Sequence, residues 1–202
     1  MKSSYTLAAG LCALLVIGVT LAASAQEPIP LDQAIKDGKV KAEISGTGGS
    51  TGDSIILTVQ RQTPDTLVLT MAAGTVFKNV GGNAQNMAGA AIKGERVGDK
   101  KYRRSATIVL EDSARHTYII EAYCLDFHKA NPSTTDAFTI APADAMAQRI
   151  IAAGKQSGGG IKVIQSALWI YRDKLTDREL KSRFPVTDEE VAAARALLKQ
   201  IQ

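Results

Sequence analysis

The sequence predicts an α+β fold, an antiparallel β-sandwich followed by a small C-terminal helical subdomain. Three observations carry this expectation. Short segments between Gly38 and about Leu125 are rich in β-formers, several with apolar and polar residues in alternation. Turn-forming clusters rich in Gly, Pro, Asp and Asn separate them. After Asn131-Pro132-Ser133 the apolar period changes to the wider spacing of helices. The chain therefore divides into a signal peptide (1–25), an N-terminal segment (26–38), a β-sandwich (39–130) and a helical subdomain packed on it (131–202).

The elements follow in order. Leu31 to Lys36 suits one or two helical turns before Gly38. Val40, Ala42 and Ile44 alternate with Lys39, Lys41, Glu43 and Ser45, the pattern of a half-buried strand. Gly46 to Asp53 is a turn-rich loop that opens no clear helix, so a phosphate-binding reading is weak. Further strands are expected over Ser54–Gln60, Leu67–Met71, Thr75–Phe77, Asn86–Ile92, Ser105–Leu110 and Thr117–Leu125. The basic cluster Lys100-Lys101-Tyr102-Arg103-Arg104 reads as a solvated hairpin turn. In the second part, Asp144 to Ala153 reads as a helix that Gly154 is placed to stop. Ile161 to Tyr171 is apolar on nearly every side and predicts a buried helix. Thr176-Asp177-Arg178-Glu179 has the form of a capping box, and Thr187-Asp188-Glu189-Glu190 opens a last helix with Val191, Ala194, Leu197, Leu198 and Ile201 as its stripe.

The N-terminus has the order of a secretory signal: Lys2, an apolar core from about Leu7 to Ala22, then the small-x-small site Ala23-Ser24-Ala25. Cleavage after Ala25 leaves a mature chain of roughly 175 residues, expected in a periplasm or outside the cell, with no membrane span. The full chain carries 24 Lys and Arg against 20 Asp and Glu, a net charge of +4. Its basic residues are dispersed, which reads as a solubility property and not as a nucleic-acid footprint.

Of the two cysteines, Cys12 lies in the signal, so export leaves Cys124 alone. No internal disulfide is then possible, and Cys124 must be an inert buried thiol, an intermolecular bridge, a metal ligand or a nucleophile. It stands in Tyr123-Cys124-Leu125-Asp126; a second motif, Ile164-Gln165-Ser166-Ala167-Leu168-Trp169, places a glutamine inside the apolar helix. This pairing resembles the thioester domains of bacterial surface adhesins. Those domains carry an aromatic-Cys-apolar-acidic motif late in a β region and an apolar-Gln-x-x-apolar motif, often ending in tryptophan, in a following helix. The resemblance covers the second half of the chain. It implies an internal thioester between Cys124 and Gln165, with Tyr123, Phe127 and Trp169 as a dry wall. It also implies a partner amine, on a protein or another surface ligand, that attacks the bond once. Such a molecule is a binding module for adhesion at the cell envelope and not a turnover enzyme, and it needs no cofactor or metal.

Other assignments of the same residues stay open. A structural or scaffold protein of the envelope would hold Cys124 as an unreactive thiol. A Cys-dependent hydrolase would set His116 or His128 beside the thiol, with Asp126 or Asp136 to orient it, though no protease signature surrounds Cys124. A metal site could draw on Cys124, Asp126, His128 and His116, but a sparse Cys-x-x-x-His is weak for zinc and no Met-rich motif supports copper. The loop Gln85-Asn86-Met87 either forms a plain turn or brings amides to an acyl oxygen. Asp32, Asp37 and the other carboxylates show no pairing of the glycosidase kind.

Overall fold

A computed structural model describes residues 27–99 and 101–201. The expected signal peptide and Cys12 lie outside the described residues. The fold is α+β, with mostly antiparallel strands and five helices among the described residues. Its elements run β1 (Ile29–Pro30), α1 (Leu31–Lys36), β2 (Val40–Gly46), β3 (Thr51–Arg61), β4 (Leu67–Thr70), β5 (Val76–Asn79), β6 (Met87–Gly98), β7 (Lys101–Arg104), β8 (Ile108–Leu110), β9 (Arg115–Cys124), β10 (Phe138–Ala141), α2 (Ala145–Gln156), α3 (Ile161–Asp173), α4 (Asp177–Arg183) and α5 (Asp188–Ile201).

The larger sheet has the order β10-β5-β6-β9-β3-β2, with β7 added on β6. Its two end strands meet through a bridge between Ser45 and Ala137, so the sheet curls nearly into a barrel. A small sheet, β1-β4-β8, includes the parallel pairing of Ile29 with Leu69. Strand β9 lies between β6 and β3, and every residue from Tyr118 to Cys124 is buried. Such a strand reads as a largely apolar run, here interrupted by Glu121, instead of an alternating one. Alternation survives in β3, where Ile55, Leu57 and Val59 fill the core. Two register shifts break the β6–β9 ladder and help bend it. At the second, Gly94 takes φ +148° and comes so close to Arg103 that a Cβ would stand 2.3 Å from that carbonyl oxygen. Only glycine fits there.

Several expectations are revised. The Ser105–Leu110 segment forms a strand only over Ile108–Leu110, and it joins β4 in the small sheet. The basic cluster contributes a strand, β7, that pairs with β6, although its side chains are exposed as expected of a hairpin. Phe138–Ala141, placed in the helical part by its position, is β10 and pairs with β5 over four residues. The C-terminal run of helices therefore starts at Ala145. No helix among the described residues is long and apolar enough to cross a membrane.

The helical part is stitched by its caps. Asp144 accepts from the N–H groups of Met146 and Ala147 at the start of α2. Thr176 and Glu179 form the expected reciprocal box on α4. Helix α3 buries every residue from Ile164 to Ile170. Gly154 does not stop α2. It is buried inside the helix, and the turn at Gly158, φ +71°, lies beyond Gln156. A Cβ on Gly154 would stand 2.5 Å from Ile164 Cγ1 and 3.3 Å from Leu197 Cδ2. The bare backbone lets α2, α3 and α5 meet.

This contact generates a prediction with a clear sign. Alanine in place of a mid-helix glycine ordinarily stabilises by about 1 kcal/mol. Here Gly154→Ala overpacks a three-helix junction and should instead destabilise by about 1–3 kcal/mol. Urea unfolding of the two proteins checks this: a higher midpoint for the variant would mean that the helices can part at no cost.

Candidate functional site

The site is built where β9 ends. The Leu125 N–H donates to Asn86 O on the β6 side at 2.8 Å. Main-chain groups alternate along a strand, so those of Cys124 point the other way, toward β3. But β3 begins only at Thr51, which is opposite Tyr123. The polar groups of Cys124 would be left unpaired inside the protein. Gln165 of α3 fills the vacancy: the Cys124 N–H donates to Gln165 Oε1 at 2.9 Å, and Gln165 Nε2 donates to the Cys124 carbonyl at 2.8 Å. The carboxamide thus extends the ladder as a strand residue would. Both residues are 0% exposed, and 41 positions of sequence separate them.

The residues after Cys124 are fastened one by one. Arg172 Nε donates to the Leu125 carbonyl at 3.1 Å, and its other arm pairs with Asp144 at 2.7 Å. The Asp126 N–H donates to Gln85 Oε1 at 3.2 Å, and the Phe127 N–H donates to Asp173 Oδ2 at 3.2 Å. Gln165, Arg172 and Asp173 lie seven and eight residues apart on α3, hence on one face. The sequence motif marked Gln165 but not these two; the signal was the same helical spacing carried two turns further.

The Cys124 side chain points to β6, with Sγ 3.3 Å from Met87 Sδ. Met87 is its direct cross-strand partner. Burial, with Asp126 nearby, pushes the thiol well above its usual pKa. The group is therefore a neutral thiol and no free thiolate.

Of the expected wall, Phe127 and Trp169 meet edge to face at 5.2 Å, and Phe184 continues the cluster on the far side of Trp169 at 5.1 Å. The indole N–H donates to Gln85 Oε1 at 3.3 Å. Tyr123 occupies the opposite face of β9 by strand alternation. There its hydroxyl donates to Glu121, whose carboxylate also lies 2.9 Å from Lys155 Nζ. Burial alone would raise the Glu121 pKa, but the bonds from Lys155 and Tyr123 hold it below the usual value. Phe127 and Trp169 thus lie together, beside Gln85 and Phe184, while Tyr123 faces away from them. The loop Gln85-Asn86-Met87 does come to the site, but its amides are engaged elsewhere: Gln85 Nε2 donates to Asn131 Oδ1, and Asn86 donates to Asp126 Oδ2.

Histidine chemistry at the thiol finds no support in the geometry. His116 precedes Cys124 by eight residues on one strand, about 26 Å at the usual rise. It lies between Glu95 and Asp112. His128 is exposed with its ring against Phe127. Asp136 accepts from Ser133 and Asn79. Among the described residues no three His, Cys, Asp or Glu side chains are grouped to hold a metal ion.

The carboxamide bridge should be needed for folding as well as for any chemistry. Gln165→Ala strands the Cys124 N–H and carbonyl without partners and leaves a small void, a loss of about 2–4 kcal/mol. Chemical denaturation measures it; a loss below about 0.5 kcal/mol would show that these groups find other partners. Comparison of the chain with protein-family models, curated proteins and solved structures found no match.

Proposed function

We propose that the chain is an exported, thioester-domain-like binding protein, released to a periplasm or to the cell exterior, in which Cys124 and Gln165 form an internal thioester that one partner amine opens. In this reading the curled sheet and the small sheet correspond to the two layers of a modified sandwich, with the helical part packed over the end of β9.

The observation that carries the proposal is the docking of the Gln165 carboxamide on Cys124 in a fully buried site. An amide is a poor electrophile, so its attack by a thiol needs placement and polarisation that solution does not supply. The Cys124 N–H already donates to Gln165 Oε1, the oxygen on which negative charge would develop. The S–Cδ bond forms as the Cδ–Nε2 bond breaks, and the thiol proton leaves with the nitrogen as ammonia. The neutral state of the thiol suits this balance, since its proton is needed by the leaving group. Phe127, Trp169 and Phe184 keep water from the stored bond. An amine that reaches Cδ then takes the acyl group and restores the thiol.

One observation favours a second reading. Both ends of the carboxamide are satisfied by main chain, and the thiol rests on a thioether. The same geometry serves a scaffold protein of the envelope in which Gln165 is a structural peg.

Peptide-resolved mass spectrometry of the purified mature protein, with and without methylamine, separates the two. The thioester reading expects a crosslink between the peptides of Cys124 and Gln165 with loss of ammonia, then methylamine added at Gln165 and a thiol freed at Cys124. Peptide resolution is required because cyclisation of Gln26 at the mature N-terminus has the same mass loss. A free Cys124 and an intact Gln165 in fresh native protein would overturn it and leave the scaffold reading.

A further inference from the structure

At the other end of β9, remote from Cys124, His116 lies between two carboxylates. Its Nδ1 is 2.7 Å from Glu95 Oε1 on β6, and its Nε2 is 2.9 Å from Asp112 Oδ1 in the turn between β8 and β9. A carboxylate only accepts, so each ring nitrogen must carry a proton, and only the imidazolium does. The ring is half-buried, with 20% of its side chain exposed. These groups line a cavity of about 470 Å³ together with Arg103, Arg104, Ser105, Thr107, Val109, Glu111 and Tyr118.

We propose that His116 is a proton-operated clasp: its imidazolium ties the Asp112 carboxylate of the β8–β9 turn to Glu95 of β6, and loss of one ring proton releases that carboxylate at the cavity wall while Gln60 and Arg61 of β3 keep the main chain of the turn in place.

The two sides of the clasp are unequal. Glu95 is anchored on the sheet and also receives Arg103 of β7. Its side chain is 12% exposed, against 65% for Asp112. A neutral imidazole keeps one N–H and turns a lone pair toward the other carboxylate. The retained N–H stays on Glu95, and the lone pair of Nε2 then faces Asp112 and repels it. The proton passes to solvent. Other charged groups do not replace it: Arg61 of β3 reaches the main-chain carbonyl of Asp112 and not its carboxylate, Arg115 pairs with Glu43, and the Tyr118 hydroxyl donates to the Val109 carbonyl. Arg104 and Glu111 line the cavity without an ion pair among the described residues.

The direction of the titration agrees. Hydrogen bonds to Glu95 and then Asp112 raise the His116 pKa above its ordinary 6.5. The bond from His116 lowers Asp112, and at Glu95 the bonds from His116 and Arg103 outweigh the effect of burial. A raised folded-state pKa places the stabilisation below 6.5 and removes it as pH climbs through the folded value. The lowered carboxylates keep the clasp charged well into acid.

An NMR pH titration of the wild type, Asp112→Asn and His116→Gln tests this. In the wild type the His116 ring should titrate above 6.5, and the amide of Ala114, which donates to Asp112 Oδ1, should shift with the same midpoint. In Asp112→Asn the amide acceptor for Ala114 remains while the charge is lost, and the ring midpoint should fall by about one unit, a tenfold change in proton affinity. In His116→Gln the signals of residues 111–114 should be flat from about pH 6 to about pH 9. If that variant does not fold, Asp112→Asn, at an exposed turn, still decides the matter. A wild-type ring midpoint at or below 6.5, an unchanged midpoint in Asp112→Asn, or an Ala114 amide that ignores the ring titration would overturn the proposal.

Discussion

The structure depends on the pairing of one side-chain amide with one residue of main chain. Strand β9 is buried on both faces and outruns its neighbour β3 by one residue, which leaves Cys124 with a donor and an acceptor inside the protein. An unpaired buried polar group costs about as much as a broken hydrogen bond, and here there are two. Gln165 meets both needs from a different part of the chain. The end of the sheet and the position of α3 are therefore one decision. Once α3 is set by that contact, Arg172 and Asp173 fall within reach of Leu125 and Phe127, and Trp169 falls on Phe127.

The helical part then has to come close enough for this short side chain to reach the strand. Gly154 allows it from behind, by letting α2 lie against Ile164, one residue before Gln165. Arg172 ties α3 to the N-cap of α2 through Asp144. The ion pair of buried Glu121 with the exposed Lys155 joins β9 to α2 on the opposite face of the strand. The last residues of β9 are thus gripped from both sides, and the thiol is fixed by its surroundings.

Much of this was legible in the residues. The period of two in Val40–Ile44, the capping box at Thr176 and the all-round apolar profile of α3 each reflect a local demand on the chain, and each appears in the fold. The meeting of Cys124 with Gln165 was suggested only by the resemblance of their two short motifs to those of a known family, and the two residues are in contact. What was hidden depends on tertiary partners. Phe138–Ala141 is too short to show a period and is a strand because β5 offers it an edge. Gly154 has the look of a helix stop, and only the approach of Ile164 and Leu197 reveals it as a packing residue. Met87 and Cys124 are 37 residues apart, and nothing local announces their contact. The carboxylates around His116 come from β6 and from a turn, so no motif could join them.

The carboxamide bridge also frames the question of reactivity. Hydrogen bonds that hold a ground state do not by themselves speed its reaction; only contacts that strengthen toward the transition state do so. The bond from the Cys124 N–H to Gln165 Oε1 is of the second kind, because charge grows on that oxygen as sulfur attacks. The bond from Gln165 Nε2 to the Cys124 carbonyl is of the first kind, because it binds the nitrogen that must leave. The bridge is therefore divided: one half aids acyl transfer and the other half opposes it. The departing nitrogen also frees the carbonyl of Cys124, which then needs another donor in a buried place. A thioester here would exchange one satisfied main-chain group for a reactive bond. The clamps of Arg172 on Leu125 and of Asp173 on Phe127 do not involve Nε2, so they would hold this segment in place after that contact is gone.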